Sequence, residues 1–154
     1  MNTKVFISGA LTAISDSERV KADYERIADL CEVHGLTPYV PHRYTDPVIN
    51  SDVSSQRVYE LDSYHVRTAR LVIAYVGIPS LGVGQEVEIA RQSDVPVILL
   101  YEREHPVSRM TRGCPGVVAE IPFDSFDEAL SQISALLQNL PLAREMKKAE
   151  GMLS

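Results

Sequence analysis

Leu71-Val72-Ile73-Ala74-Tyr75-Val76, followed by Gly77-Ile78-Pro79-Ser80-Leu81-Gly82-Val83-Gly84, decides the fold. An unbroken apolar run of this length is the pattern of a strand buried on both faces, as in a parallel sheet covered by helices. The glycine- and proline-bearing segment after it predicts a loop over 77–84, and a helix is expected over 85–93. Working outward, similar short apolar runs occur at 95–101, at Lys4-Val5-Phe6-Ile7-Ser8 before Gly9, at 37–40 and at 117–121. Helical patterns fill the gaps. Ser15-Asp16-Ser17-Glu18 reads as a capping box, after which Val20, Tyr24, Ile27, Cys31 and His34 recur at helical spacing and Gly35 stops the helix. A second helix is predicted over 55–68. A further capping box, Ser125-Phe126-Asp127-Glu128, opens a helix with Phe126, Leu130, Ile133, Leu137 and Leu140 on one face, ending at Pro141.

Strands alternate with helices along the whole chain, which implies right-handed crossovers and one open sheet. The expected fold is α/β: a doubly wound, flavodoxin-like parallel sheet of five strands in a single domain over 1–141, with a polar tail over 142–154. Ligands of such folds bind beyond the carboxyl ends of the strands. The loops that matter are therefore 8–15, 41–52, 77–84 and 102–116, the last with room for a short helix.

Composition narrows the function. The 154 residues carry 15 Lys and Arg against 21 Asp and Glu, a net charge of −6. An acidic balance argues against a protein that grips a nucleic acid polymer by its phosphates. Two cysteines, Cys31 and Cys114, are too few for a disulfide scaffold or a cysteine metal cluster, and the four histidines lack metal-ligand spacing. No metal site is read from these residues. The apolar runs are far too short for a membrane span, and the chain enters its first strand pattern directly after Met1-Asn2-Thr3, so a cytoplasmic protein is expected.

Three features carry chemistry. Asp62 falls inside the apolar stripe Val58, Leu61, His65, Val66 and Ala69, four residues from both Val58 and Val66. A carboxylate there faces the core or a cleft, where desolvation is costly unless it is paired; a shift of helix phase would instead leave it solvated. Pro79-Ser80-Leu81-Gly82-Val83-Gly84-Gln85-Glu86 joins a strand to a helix, with glycines that admit a ligand and Glu86 expected in the first helical turn, ionised and stabilised by the macrodipole. It is neither a dinucleotide fingerprint, which would need glycine where Val87 stands, nor a Walker loop. Ser108-Arg109-Met110-Thr111-Arg112-Gly113 offers hydroxyls and guanidinium groups that suit an anion, or a solvated polar loop. Tyr24, on an apolar face, reads as a core residue.

Taken in order, Val5-Phe6-Ile7-Ser8-Gly9, Asp62, Pro79-Ser80-Leu81-Gly82-Val83-Gly84-Gln85-Glu86 and Ser108–Gly113 resemble the nucleoside 2-deoxyribosyltransferase superfamily, and most closely its 2′-deoxynucleoside 5′-phosphate N-hydrolase branch. The resemblance covers residues 4–121. It implies that Glu86 is the nucleophile that attacks the anomeric carbon, and that Asp62 assists the leaving base and orients the sugar. Ser80 and Ser108 match serines that bind the 5′-phosphate, Ser108 from a neighbouring chain, with Met110 in the same loop. Gly9, Ala10, Leu11, Thr12, Tyr24, His42, Gly82 and Gly84 match positions that line the nucleotide pocket. The family works as homodimers or dimers of dimers, which is expected here too, and the resemblance implies no metal and no organic cofactor.

Two positions depart from the branch. Phe6 stands where the hydrolases usually carry Tyr, at the sugar, which leaves ribose and 2′-deoxyribose both open. Gly9-Ala10-Leu11-Thr12 replaces Gly-Ser-x-Arg, removing a hydroxyl and a guanidinium from the phosphate side, for which Arg43 or Arg112 could substitute. The reading favoured by Ser80 is a nucleoside 5′-monophosphate N-hydrolase. The transferases typically carry Asp at that position, which would repel a phosphate dianion. Base exchange between deoxynucleosides is the alternative. A non-catalytic nucleotide-binding module is a third reading, although it predicts loss of a carboxylate and both are present.

Overall fold

The computed structural model describes residues 1–139; the expectations for 140–154 lie outside the described residues. Five strands form one all-parallel sheet: β1 (Lys4–Ser8), β2 (Thr37–Tyr39), β3 (Leu71–Tyr75), β4 (Val97–Glu102) and β5 (Val117–Phe123), in the order β2-β1-β3-β4-β5. Among the described residues the helices are α1 (Ser17–Val33), α2 (His42–Thr45), α3 (Ser55–Arg67), α4 (Leu81–Gln92), α5 (Arg109–Arg112) and α6 (Phe126–Gln138). The flavodoxin-like order reverses between β1 and β3, which makes that point the ligand crevice of the fold. None of these helices is long and apolar enough to cross a membrane.

Side-chain alternation along β1 divides the core into two layers. Val5 and Ile7 join α1 and α6 residues such as Ile27, Ala28 and Ile133 on one face. Phe6 points the other way, among Val66 of α3 and Val83 and Val87 of α4. Ser8 follows Phe6 by two residues and is fully buried on that second face.

Three boundaries differ from the sequence reading. The N-cap of α1 is Asp16, whose carboxylate accepts the Arg19 amide, in place of Ser15. The 41–52 loop contains α2, a single turn after Pro41. Most consequentially, α4 begins at Leu81 behind the N-cap Ser80, whose Oγ accepts the Val83 amide at 3.3 Å. Gly82 and Gly84 thus lie inside the helix, and Glu86 belongs to its second turn.

The 41–52 segment is held from within by Asp46, which is completely buried. Its Oδ1 accepts the Val48 and Ile49 amides at 2.8 and 2.9 Å, and the Lys21 ammonium of α1 closes on Oδ2. Burial alone would raise this carboxyl; Lys21 and the two amides outweigh it and hold the pKa at about 2. A folded pKa below the ordinary 3.8 means stability that is present above that value and lost as pH falls through about 2. Asp46→Ala is therefore expected to cost about 2–3 kcal/mol in urea unfolding at neutral pH. The difference from the parent should shrink when the same unfolding is followed at acid pH.

Candidate active site

A cavity of about 710 Å³ opens at the carboxyl end of the sheet, beside the β1/β3 reversal. Its walls are Gly9, Leu11 and Thr12 after β1, and Pro79, Ser80 and the first turn of α4 after β3. Pro41, Thr45, Pro47, Asn50, Ser51 and Val53 form the side held by Asp46. Asp62 from the middle of α3 and Glu86 from α4 both line it. The stripe reading of Asp62 agrees with this placement, because α3 turns Val66 into the core and Val58 and Asp62 toward the cleft.

Ser8 is the site residue that sequence reasoning missed. Its Oγ donates to Glu86 Oε2 at 2.9 Å, crossing from the end of β1 to α4. The signal was available: strand alternation puts Ser8 on the face of Phe6, at the end of β1 where ligands of this fold bind. Asp62 differs from Glu86 in that its Oδ1 is buried with no hydrogen-bond partner.

The electrostatics also differ from expectation. Glu86 was expected ionised at a helix N-terminus; in the second turn it is beyond the reach of the macrodipole. Burial raises Glu86 to about 8, with the charge of Asp62 adding and the Ser8 hydroxyl opposing. Burial raises Asp62 to about 6. Two carboxylates that feel one another release their protons as a pair. Near neutral pH this pair holds one proton and one negative charge, the complement that one acid and one nucleophile require.

Several residues expected in the pocket lie elsewhere. Phe6 is completely buried beneath it, with its ring stacked on Tyr39 at 5.6 Å. Ala10 turns its side chain inward and its carbonyl accepts the Tyr24 hydroxyl at 2.9 Å. Tyr24 sits on the α1/α6 face, its ring against Gly9, where a Cβ would come within 2.2 Å of the ring carbon Cζ. Gly9 is therefore required by close approach of Tyr24. His42 gives its Nε2 to Glu25 at 2.8 Å and is not part of the cavity wall. Gly84 and Ser108 line a neighbouring cavity of about 430 Å³, which meets the first along Pro79, Ser80, Leu81 and Val83. Met110 projects from α5, 89% exposed. Arg43 pairs with Glu25, and Arg112 with Glu120 at 2.6 Å, so neither faces the cavity. Gly9, Leu11, Thr12, Ser80 and Gly82 line it. Among the described residues, no group of histidine, cysteine, aspartate and glutamate side chains is arranged to hold a metal ion.

No family model matches the chain. A protein of Syntrophotalea carbinolica, provisionally named 2′-deoxynucleoside 5′-phosphate N-hydrolase 1, is 30% identical over 131 residues, 81% of this chain and 87% of that protein. A protein of Methanosarcina mazei with the same provisional name is 30% identical over 132 residues, 84% of this chain and 80% of that protein. Among solved structures, the Clostridium botulinum CMP N-glycosidase BcmB superposes with a TM-score of 0.66 at 21% identity, covering 86% of this chain and 98% of that one, a likeness of fold. On the identity and coverage of these relatives, the chain belongs to the 2′-deoxynucleoside 5′-phosphate N-hydrolase family.

Proposed function

We propose that this protein is an N-glycosidase that hydrolyses the N-glycosidic bond of nucleoside 5′-monophosphates, releasing a free base and ribose or 2′-deoxyribose 5-phosphate. The observation that carries the reading is the convergence of Glu86 and Asp62, from two helices, on one cavity at the sheet's topological switch point. In this reading a Glu86 carboxylate oxygen attacks C1′ as the C1′–N bond breaks through an oxocarbenium-like state. The bonding pair leaves with the base, which takes the proton of Asp62. Glu86 is the weaker acid of the pair and holds the proton in the free protein; before attack that proton passes to Asp62, and the charge it leaves on Glu86 is supported by the Ser8 hydroxyl. Water, giving its proton back to Asp62, then attacks C1′ and frees Glu86.

The 5′-phosphate fits the start of α4. Ser80 Oγ already accepts the Val83 amide, so its own O–H is free to donate outward. The first amides of α4 and the positive end of its dipole favour an anion at the same place. Ser108, the N-cap of α5, and Met110 within it lie outside this cavity, so in this reading they act on it from a second copy of the chain, in a homodimer or dimer of dimers.

One observation favours the second reading, base exchange between unphosphorylated deoxynucleosides: among the described residues lining the cavity, the charged side chains are Asp62 and Glu86, with no cation beside the phosphate place. A panel of ribo- and deoxyribonucleosides, with and without a 5′-phosphate, scored by chromatography for free base, separates the two. Monophosphates should be cleaved and nucleosides spared; equal cleavage of both would contradict the phosphate reading. Ser80→Asp keeps an N-cap acceptor and sets a carboxylate against the phosphate. It is expected to lower kcat/KM for monophosphates by on the order of 100-fold.

A further inference from the structure

We propose that Tyr39 is a positioning residue for the proton donor: its phenol O–H donates to Oδ1 of Asp62 when that carboxylate is ionised. The proposal rests on the reading of Asp62 given above. Among the described residues, the buried polar side-chain atoms without partners include Tyr39 Oη and Asp62 Oδ1. Buried polar groups are rarely left so, and one of these is a donor while the other is an acceptor.

The surrounding rings fix where that hydroxyl can be. Tyr39 ends β2, opposite Phe6 in the register of β1, and is 8% exposed. Its ring stacks on Phe6, on Tyr44 of α2 at 4.9 Å and on His65 of α3 at 3.7 Å. His65 follows Asp62 by three residues, so the two share a face of α3. A ring held on three others is fixed, so the bond, open in the present arrangement, closes by rotation of the Asp62 side chain. Tyr39 is not part of the cavity wall, so it reaches the substrate only through the carboxylate.

The charged and titratable groups facing it agree with a neutral donor. Burial, then the charge of Asp62, then Tyr44 and Glu86 all raise the phenol above its ordinary range, with Arg57 opposing. His65 is held low by burial and by Lys4, whose Nζ lies 3.2 Å from its Nδ1. An O–H aimed at Asp62 stabilises the carboxylate left after its proton passes to the departing base nitrogen. It makes Asp62 a readier acid without adding a charge.

The test is carboxyl NMR of the full chain with ¹³C-labelled aspartate and no substrate, Asp62 being identified by the signal that Asp62→Asn removes. The Asp62 midpoint should rise by about one pH unit in Tyr39→Phe, which deletes one oxygen and keeps the stacked ring. An unchanged midpoint overturns the proposal. As a second measurement, the Tyr39 phenol should titrate at lower pH in Asp62→Asn than in the parent, and an unmoved phenol also overturns it. On a monophosphate substrate, Tyr39→Phe should shift the alkaline limb of kcat upward by about one pH unit with KM little changed. A chain that cleaves no nucleotide would sink the proposed function, while the NMR titration would still decide the pairing.

Discussion

Glu86→Gln is expected to lower turnover by about 10³-fold or more while leaving the fold intact, as removal of a nucleophile does elsewhere. Glutamine matches glutamate in volume, and its amide oxygen can still accept the Ser8 hydroxyl that now donates to Oε2 at 2.9 Å. What disappears is the atom that the proposed mechanism bonds to C1′. The same substitution has a signature in stability. Glu86 is raised from 4.5 to about 8 in the folded chain, so the folded state holds a proton that the unfolded state releases. That contribution is complete below about 4.5 and is lost as pH rises through about 8. Urea unfolding of the parent should therefore weaken across this range, and Glu86→Gln should flatten the decline. Base release by chromatography checks the first half and unfolding at several pH values the second.

Asp62→Asn is expected to cost about 10²–10⁴-fold in turnover, the range of general acid catalysis. The loss should depend on the leaving group. A base that departs without needing a proton should be cleaved by Asp62→Asn nearly as fast as by the parent, because attack by Glu86 is untouched. An equal loss on both kinds of substrate would make Asp62 a binding residue only. Rates of the variant on a pair of substrates differing in leaving-group basicity decide the matter.

The sheet was legible because its strands are short apolar runs, too short for buried helices, that alternate with helices of amphipathic spacing. The two carboxylates were legible for different reasons. Asp62 interrupts an apolar stripe, and Glu86 ends the segment that carried the resemblance. What escaped was phase and direction. Gly82 and Gly84 read as loop because glycine is a poor helix former, yet the Ser80 cap starts α4 at Leu81. The shift moved Glu86 from the first turn to the second and replaced a dipole-stabilised carboxylate by a buried one. Tyr24 and Ala10 line up with pocket positions along the chain, but the Tyr24 hydroxyl is spent on the Ala10 carbonyl, on the far side of Gly9. Arg43 and Arg112 looked free to bind phosphate because sequence does not reveal Glu25 and Glu120 beside them.

The most direct measurement of the central claim is the intact mass of the protein, quenched in acid during turnover of a 2′-fluoro-2′-deoxynucleoside 5′-monophosphate, with the modified peptide then sequenced. The fluorine destabilises the oxocarbenium-like state and slows release of the sugar from the enzyme. The mass is predicted to rise by one fluorinated sugar phosphate, on the peptide that contains Glu86, and not to rise in Glu86→Gln. Release of free base with no adduct, or an adduct carried by Asp62, would contradict the account.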